Sequence, residues 1–281
     1  MIKKLFFLII CIFFISLSIF SWGFFIHKEI TKQAISFLPD SIKVFYNRNY
    51  TEIVSRSIEP DLLKYSDKSE IPKHFIDLEN YSGNEFKNKL PTYSDLIAKY
   101  GSSKILEYGY VPYVILFYMD SLTSAVSVKD DQKIIKFSAY LSHYIGDINV
   151  PLHTTVNYDG SGITKGIHSR FEEKLSEIVL KKGFSTEHQA KYIGNPADSV
   201  FEMLKKSHSF TTSILKTDSL VQIELDIQNQ KKKEKFNEDY YQLLNDKIEN
   251  IVKDRVRNSS VSVADFWFTC WVNANNKLKT N

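Results

Sequence analysis

Between positions 131 and 148 apolar residues return at the spacing of an α-helix, and the same stretch carries a histidine and an aspartate four residues apart. Ile134, Ile135, Phe137, Ala139, Tyr140, Leu141 and Tyr144 supply the apolar positions, a recurrence that commits this part of the chain to helix. His143 and Asp147 stand at i and i+4, so they share a helix face and can grip one cation between them. Pro151 ends the helix, and His153 follows just beyond the turn.

Other segments repeat the helical period. Positions 28–38 place Ile30, Ala34, Ile35 and Leu38 on one face and stop at Pro39. Positions 110–122 form a strongly apolar helix entered through Pro112. Positions 167–180, 198–205 and 222–256 continue the pattern, and 261–275, with Phe266, Phe268 and Trp271, closes it. Alternating strands are not evident, and with 10 Gly and 7 Pro in 281 residues the chain is poorly supplied for a barrel or sandwich of many short strands. The expected fold is all-α, a compact single-domain arrangement of many helices. The basic run 231–235, inside the polar stretch 228–239, reads as a solvated helix face.

The first 21 residues differ in kind. Lys3 and Lys4 precede an uncharged apolar run over 5–20, and Ser21 is a small residue suited to precede a cut. This is the pattern of a secretory signal. It predicts a signal peptide over 1–21, a functional domain over 22–281, and a secreted or periplasmic protein. Cleavage removes both lysines from a balance of 36 basic and 33 acidic residues, leaving the charge close to zero. Net charge therefore gives no support to a strongly basic nucleic-acid-binding surface. Cys11 leaves with the signal and Cys270 stays alone, which excludes an intramolecular disulfide. Bound metal would supply rigidity in its place.

The remaining histidines make metal the central expectation. His168 and Glu172 form a second helical pair four apart. Nitrogen and oxygen ligands without thiolate suit zinc in a catalytic setting. Trp22 would open the mature chain, where its amine and carbonyl can chelate a metal, and His27 follows five residues later. Asp61 offers an oxygen ligand and His74 a nitrogen. His188 and His208 fit no motif and are expected at the surface.

Taken in order, these residues make the chain resemble the superfamily of zinc-dependent phospholipases C and single-strand-specific zinc nucleases. The likeness runs from Trp22 to Glu172 through an H-x-x-x-D-x-x-x-x-x-H series and a following H-x-x-x-E, while the C-terminal third matches only in being helical. The resemblance implies an all-helical fold and three Zn2+ ions. Asp61, His74, His143 and Asp147 would hold the first. The amine and carbonyl of Trp22, with His27, would hold the second, bridged to the first by Asp147. His153, His168 and Glu172 would hold the third. Asp67 is an alternative to Asp61, and Asp77 is expected to orient His74. The implied reaction is attack of a zinc-bound hydroxide on the phosphorus of a phosphodiester. Asp61 and Asp147 are expected to be catalytic as well as ligating. Arg170, two residues from His168, is expected to point away.

Glu172 as the last ligand, a short loop over 154–167 and near-zero charge favour a phospholipase C-like hydrolase over the alternative, a single-strand-specific nuclease. Phe75, Tyr81 and Tyr158 lie near the ligands in sequence and could stack a base or cage a choline group. Leu62, where a choline-binding relative would present an aromatic, argues against phosphatidylcholine as the particular substrate. The expected partners are a phospholipid head group or single-stranded nucleic acid, with transient contact to a membrane surface and no obligate protein partner. A reading from another class is a zinc-binding protein without catalysis.

Overall fold

The computed structural model describes residues 23–81, 85–181, 183, 187–230 and 235–280. Residues 1–21, where a signal peptide is expected, and Trp22 lie outside the described residues. Among those residues the regular structure is helical and there is no strand, as the sequence predicts.

The first part of the chain folds into α1 (Phe24–Ser36), α2 (Asp40–Arg48), α3 (Tyr50–Arg56) and the short α4 (Glu59–Leu63). A 3-10 turn at Lys68–Lys73 leads to His74. Then come α5 (Tyr93–Tyr100), α6 (Ser102–Tyr108), α7 (Val111–Ser127) and α8 (Asp131–Asn149). Asp130 caps α8, its side chain accepting from the Lys133 amide at 3.1 Å. Pro151 holds the preceding Val150 extended and so ends the helix. Beyond a 3-10 turn at Pro151–Thr154 lie α9 (Ile167–Ser169), a π-helical stretch at Arg170–Leu175 and α10 (Ser176–Lys181). The chain closes with α11 (Pro196–His208), α12 (Thr211–Glu224) and α13 (Glu238–Thr280).

The centre of the molecule is α8. It packs against α7, α13, α1 and α3, and residues 138–149 are all buried. A helix enclosed on every side is expected to be apolar all round, yet this one carries Ser138, Ser142, His143, Asp147 and Asn149 inward. Those polar groups are accommodated by partners. Ser142 shares a hydrogen bond with Thr31 of α1 at 2.8 Å, and Ser138 does so with Tyr46 at 3.0 Å.

Two features differ from the sequence expectation. The helix expected over 222–256 is interrupted. Here α12 ends at Glu224, Asp226 and Phe236 take left-handed backbone, and a 3-10 turn spans Ile227–Asn229. Of the polar stretch, residues 228–230 and 235–237 are not α-helical, and residues 231–234, most of the basic run, lie outside the described residues. Conversely, the segments expected to part near position 258 are one helix, α13. Ser259 and Ser260 look like a break, but their hydroxyls donate to the Arg255 and Val256 carbonyls at 2.8 and 3.1 Å, and the helix runs through.

Candidate metal centre

Eight sequence-predicted ligands fall within the described residues, and the fold brings all eight into the interior, each between 0 and 6 % exposed. His27 comes from α1, Asp61 from α4, and His143 and Asp147 from α8. His74 follows the 3-10 turn at Lys68–Lys73, and His153 sits in the one after α8. His168 lies on α9 and Glu172 in the π-helical stretch, a local widening often found at functional sites. Three groups of side-chain donors form: His27, His143 and Asp147; Asp61, His74 and His143; and His153, His168 and Glu172.

The last group is compact. Glu172 Oε1 lies 2.9 Å from Nε2 of both His153 and His168, and those two nitrogens are 3.1 Å apart. Ligands about 2 Å from a tetrahedral centre stand about 3.3 Å from one another, so this triangle has the dimensions of one face of such a site. The tautomer of His153 agrees. Its Nδ1 faces the His74 carbonyl at 2.8 Å, and a carbonyl only accepts, so Nδ1 carries the proton and Nε2 presents its lone pair. Despite the short distances, neither oxygen of the buried Glu172 carboxylate has a hydrogen-bond partner among the described residues. The atoms converge on a point rather than pair, which is the donor arrangement of a cation site.

The other two groups share His143, and Asp147 reaches toward both. Its Oδ2 lies 2.9 Å from His74 Nδ1 and 3.2 Å from His143 Nε2, while Oδ1 faces His27 Nε2 at 3.5 Å. One carboxylate thus turns an oxygen toward each group, as a bridging ligand must. His143 repeats the tautomer logic of His153, since its Nδ1 donates to the Ser57 carbonyl at 2.8 Å and leaves Nε2 facing inward. The His27 and His143 rings stack at 4.0 Å. Asp147 Oδ1 is also 3.5 Å from His153 Nδ1, so the shared region and the third group are neighbours.

The electrostatics follow from this crowding. Burial works against the Asp61 and Asp147 carboxylates, but His143 beside them holds both well below the usual range. Burial likewise opposes charge on His143, yet Asp147 and Asp61 lift it to about 10. Burial and the Lys64 cation push His74 down to about 4. For Glu172, burial is outweighed by His168 and His153, which bring it to about 2. Three ionised carboxylates enclosed in the interior are costly without positive charge to neutralise them; Lys64 and protonated imidazoles supply it here, and a divalent metal would take over that role by displacing the imidazole protons.

Several finer expectations are decided by position. Asp61 rather than Asp67 joins the cluster; Asp67 is exposed and accepts from Ser69 within its own turn. No contact joins Asp77 to His74 among the described residues. The Asp77 carboxyl is half-buried beside Glu79, and burial together with that charge pushes it up to about 6. The carboxylate facing His74 is that of Glu70, whose Oε1 lies 3.7 Å from Nε2. Arg170 points away as expected: it contacts Asp218 at 2.9 Å and the Tyr240 hydroxyl at 2.9 Å. Tyr81 is a core residue donating to the Gly109 carbonyl, whereas the half-exposed Tyr158 meets His168 edge-on at 5.4 Å. His188 and His208 are not simple surface groups. His188 contacts Asp265 at 2.7 Å, and His208 Nδ1 donates to the Thr154 carbonyl at 2.9 Å.

Sequence reasoning missed Lys64. It is buried, with its Nζ 2.7 Å from Asp61 Oδ1. Its place three residues after Asp61, at the end of a short helix, was the available signal. A cavity of about 670 Å³ lined by Tyr93, Tyr110, Tyr113 and Tyr118 has Lys73 in its wall but none of the ligand residues. A scan against protein-family models finds no match for this chain, and a search of the curated proteins finds none either.

Proposed function

We propose that this chain is an exported zinc-dependent phosphodiester hydrolase of the phospholipase C type. The observation that carries the reading is the convergence of His153, His168 and Glu172 within 3.1 Å, beside a second set of ligands arranged around the two oxygens of Asp147. His153, His168 and Glu172 would hold one ion, Asp61, His74, His143 and Asp147 a second, and His27 with Asp147 and the Trp22 terminus a third. Bound zinc supplies Lewis acidity, lowering the pKa of water toward neutrality and offsetting charge on a phosphate.

The chain's own residues do the rest. Asp147 fixes the spacing of the two groups it faces. Asp61 forms an ion pair with Lys64, and the lysine places a positive charge at the cluster, where a phosphate oxygen would gain from it. The main-chain carbonyls of Ser57 and His74 lock the His143 and His153 rings so that their free nitrogens point inward. Helix α4 and the two residues after it turn Asp61 and Lys64 inward and leave Leu62, Leu63 and Tyr65 exposed. That apolar rim next to the cluster is what a lipid surface would cover, and it favours phospholipid as substrate. The half-exposed Tyr158 ring at His168 favours a second reading, a single-strand-specific nuclease with the same ligands, because a base could stack there.

The test is metal analysis of the protein beginning at Trp22, with parallel assays on phospholipid vesicles and single-stranded DNA. The expected result is three zinc ions per chain and release of a phosphorylated head group. His153→Ala should lose one ion and at least 100-fold in turnover. Cleavage of DNA alone would select the nuclease, and bound metal without turnover of any diester would leave a metal-binding protein. Full activity in His153→Ala with its metal retained would overturn the assignment.

A further inference from the structure

We propose that Glu70 is a positioning residue that orients His74 as a metal ligand through Nδ1, an inference that rests on the metal-centre reading above. His74 turns Nδ1 toward Asp147 Oδ2 at 2.9 Å and His143 Nε2 at 3.1 Å. Its other nitrogen, Nε2, is buried and has no hydrogen-bond partner among the described residues. The group facing that nitrogen is Glu70 Oε1, 3.7 Å away. A neutral imidazole that presents a lone pair at Nδ1 carries its proton at Nε2, and a carboxylate beyond that proton fixes the tautomer and raises the basicity of the ligating nitrogen.

Glu70 is itself only 3 % exposed and held from two sides. Lys73 Nζ lies 2.6 Å from Oε2, and the Tyr144 hydroxyl donates to Oε1. Tyr144 follows His143 on α8, and its ring lies 5.4 Å from that of His74. One turn of α8 therefore presents a ligand with His143 and, through Tyr144, steadies the carboxylate behind another ligand. Tyr118 stacks on Tyr144 at 5.3 Å and limits its movement. A carboxylate enclosed in this way costs stability unless it is paired. Lys73 and Tyr144 supply the pairing, and His74 supplies a use for the remaining acceptor capacity.

The experiment compares wild type, Glu70→Gln and Glu70→Asp, each beginning at Trp22. Zinc affinity is measured by competition with a chromophoric chelator, and thermal unfolding is measured on the metal-free proteins. Glu70→Gln should weaken zinc at the His74 group by about 10–100-fold. It should leave the affinity of the His153 group unchanged and the metal-free melting temperature close to wild type. Glu70→Asp, which keeps the charge, should recover part of the affinity. Unchanged affinity in both variants, or an equal loss at every group together with a fall in metal-free melting temperature, would overturn the positioning role while the metal centre stands. Failure of wild type to bind zinc would overturn both. Nitrogen NMR of zinc-loaded wild type needs no variant: the proposal requires Nδ1 of His74 to be metal-bound and Nε2 protonated, and the opposite tautomer contradicts it.

Discussion

Asp77 lies three residues beyond His74, yet it joins none of the three ligand groups. Burial and the neighbouring Glu79 charge push its carboxyl up to about 6, well above the value of about 3.9 expected in the unfolded chain. The folded state therefore favours the neutral acid. The stability this gives is fully present below about pH 4 and is lost as pH rises through about 6. At full burial a difference of this size corresponds to about 3 kcal/mol. The group is half-buried, and solvent screening reduces this to the order of 1 kcal/mol. Asp77→Asn removes the ionisation while keeping the shape. In chelator-treated protein it should raise the melting temperature at pH 7.5 by about 2–4 °C, and most of that gain should vanish at pH 4. An equal gain at both pH values would trace the effect to packing instead of charge.

Gly146 shows what the packing of α1 on α8 requires. A Cβ placed on it would stand 2.9 Å from His27 Nδ1 and 3.0 Å from Cε1. On helix propensity alone, Gly to Ala in mid-helix should stabilise by about 1 kcal/mol. Here the ring cannot yield easily, because its other side stacks on His143 at 4.0 Å. Gly146→Ala should instead destabilise by about 1–3 kcal/mol and lower metal occupancy at the His27 group before the others, as read by thermal unfolding and metal analysis. A stabilised variant with full occupancy would show that the contact is slack. The core of this arrangement was legible in the chain because both its signals are local. Apolar spacing marked α1, α7 and α8, and the i,i+4 pairs put His143 with Asp147 and His168 with Glu172. What sequence could not supply was tertiary. Lys64 and Glu70 stand three and four residues from Asp61 and His74, so their spacing was visible, but only the fold encloses those pairs beside His143 and Asp147 and so makes them count. The π-helical stretch at Glu172 and the run of α13 through Ser259 and Ser260 depend on hydrogen-bond choices that propensity leaves balanced.

At the scale of the whole molecule, the ligand groups tie together parts of the chain far apart in sequence. Residues from α1, α4, α8, α9 and the intervening turns meet in one interior, so metal bound there would also supply folding energy. The described cysteine, Cys270, is buried and unpaired, and its thiol is pushed up to about 12 by burial, so it adds no cross-link. The three groups do not have equal means of holding an ion. His153, His168 and Glu172 are three separate ligands, and Asp61, His74 and His143 are three more. The His27 group shares His143 with its neighbour, and Asp147 turns its other oxygen to His74 of that neighbour at 2.9 Å, so a full coordination shell there calls for further donors. His27 stands near the start of α1, five residues after Trp22, and a terminal amine with its carbonyl at Trp22 would complete the shell. Protein that begins at Trp22 should therefore carry three zinc ions, and protein with even a few residues added before Trp22 should carry two. At free zinc about 1,000-fold above Kd each ion adds about 4 kcal/mol, or roughly 8–16 °C in melting temperature at this size. The extended form should melt lower by about that amount, and chelation should bring the two forms to the same temperature. Equal metal content and equal melting in zinc would mean that His27 draws its remaining ligands from elsewhere and that the start of the chain plays no part in the centre.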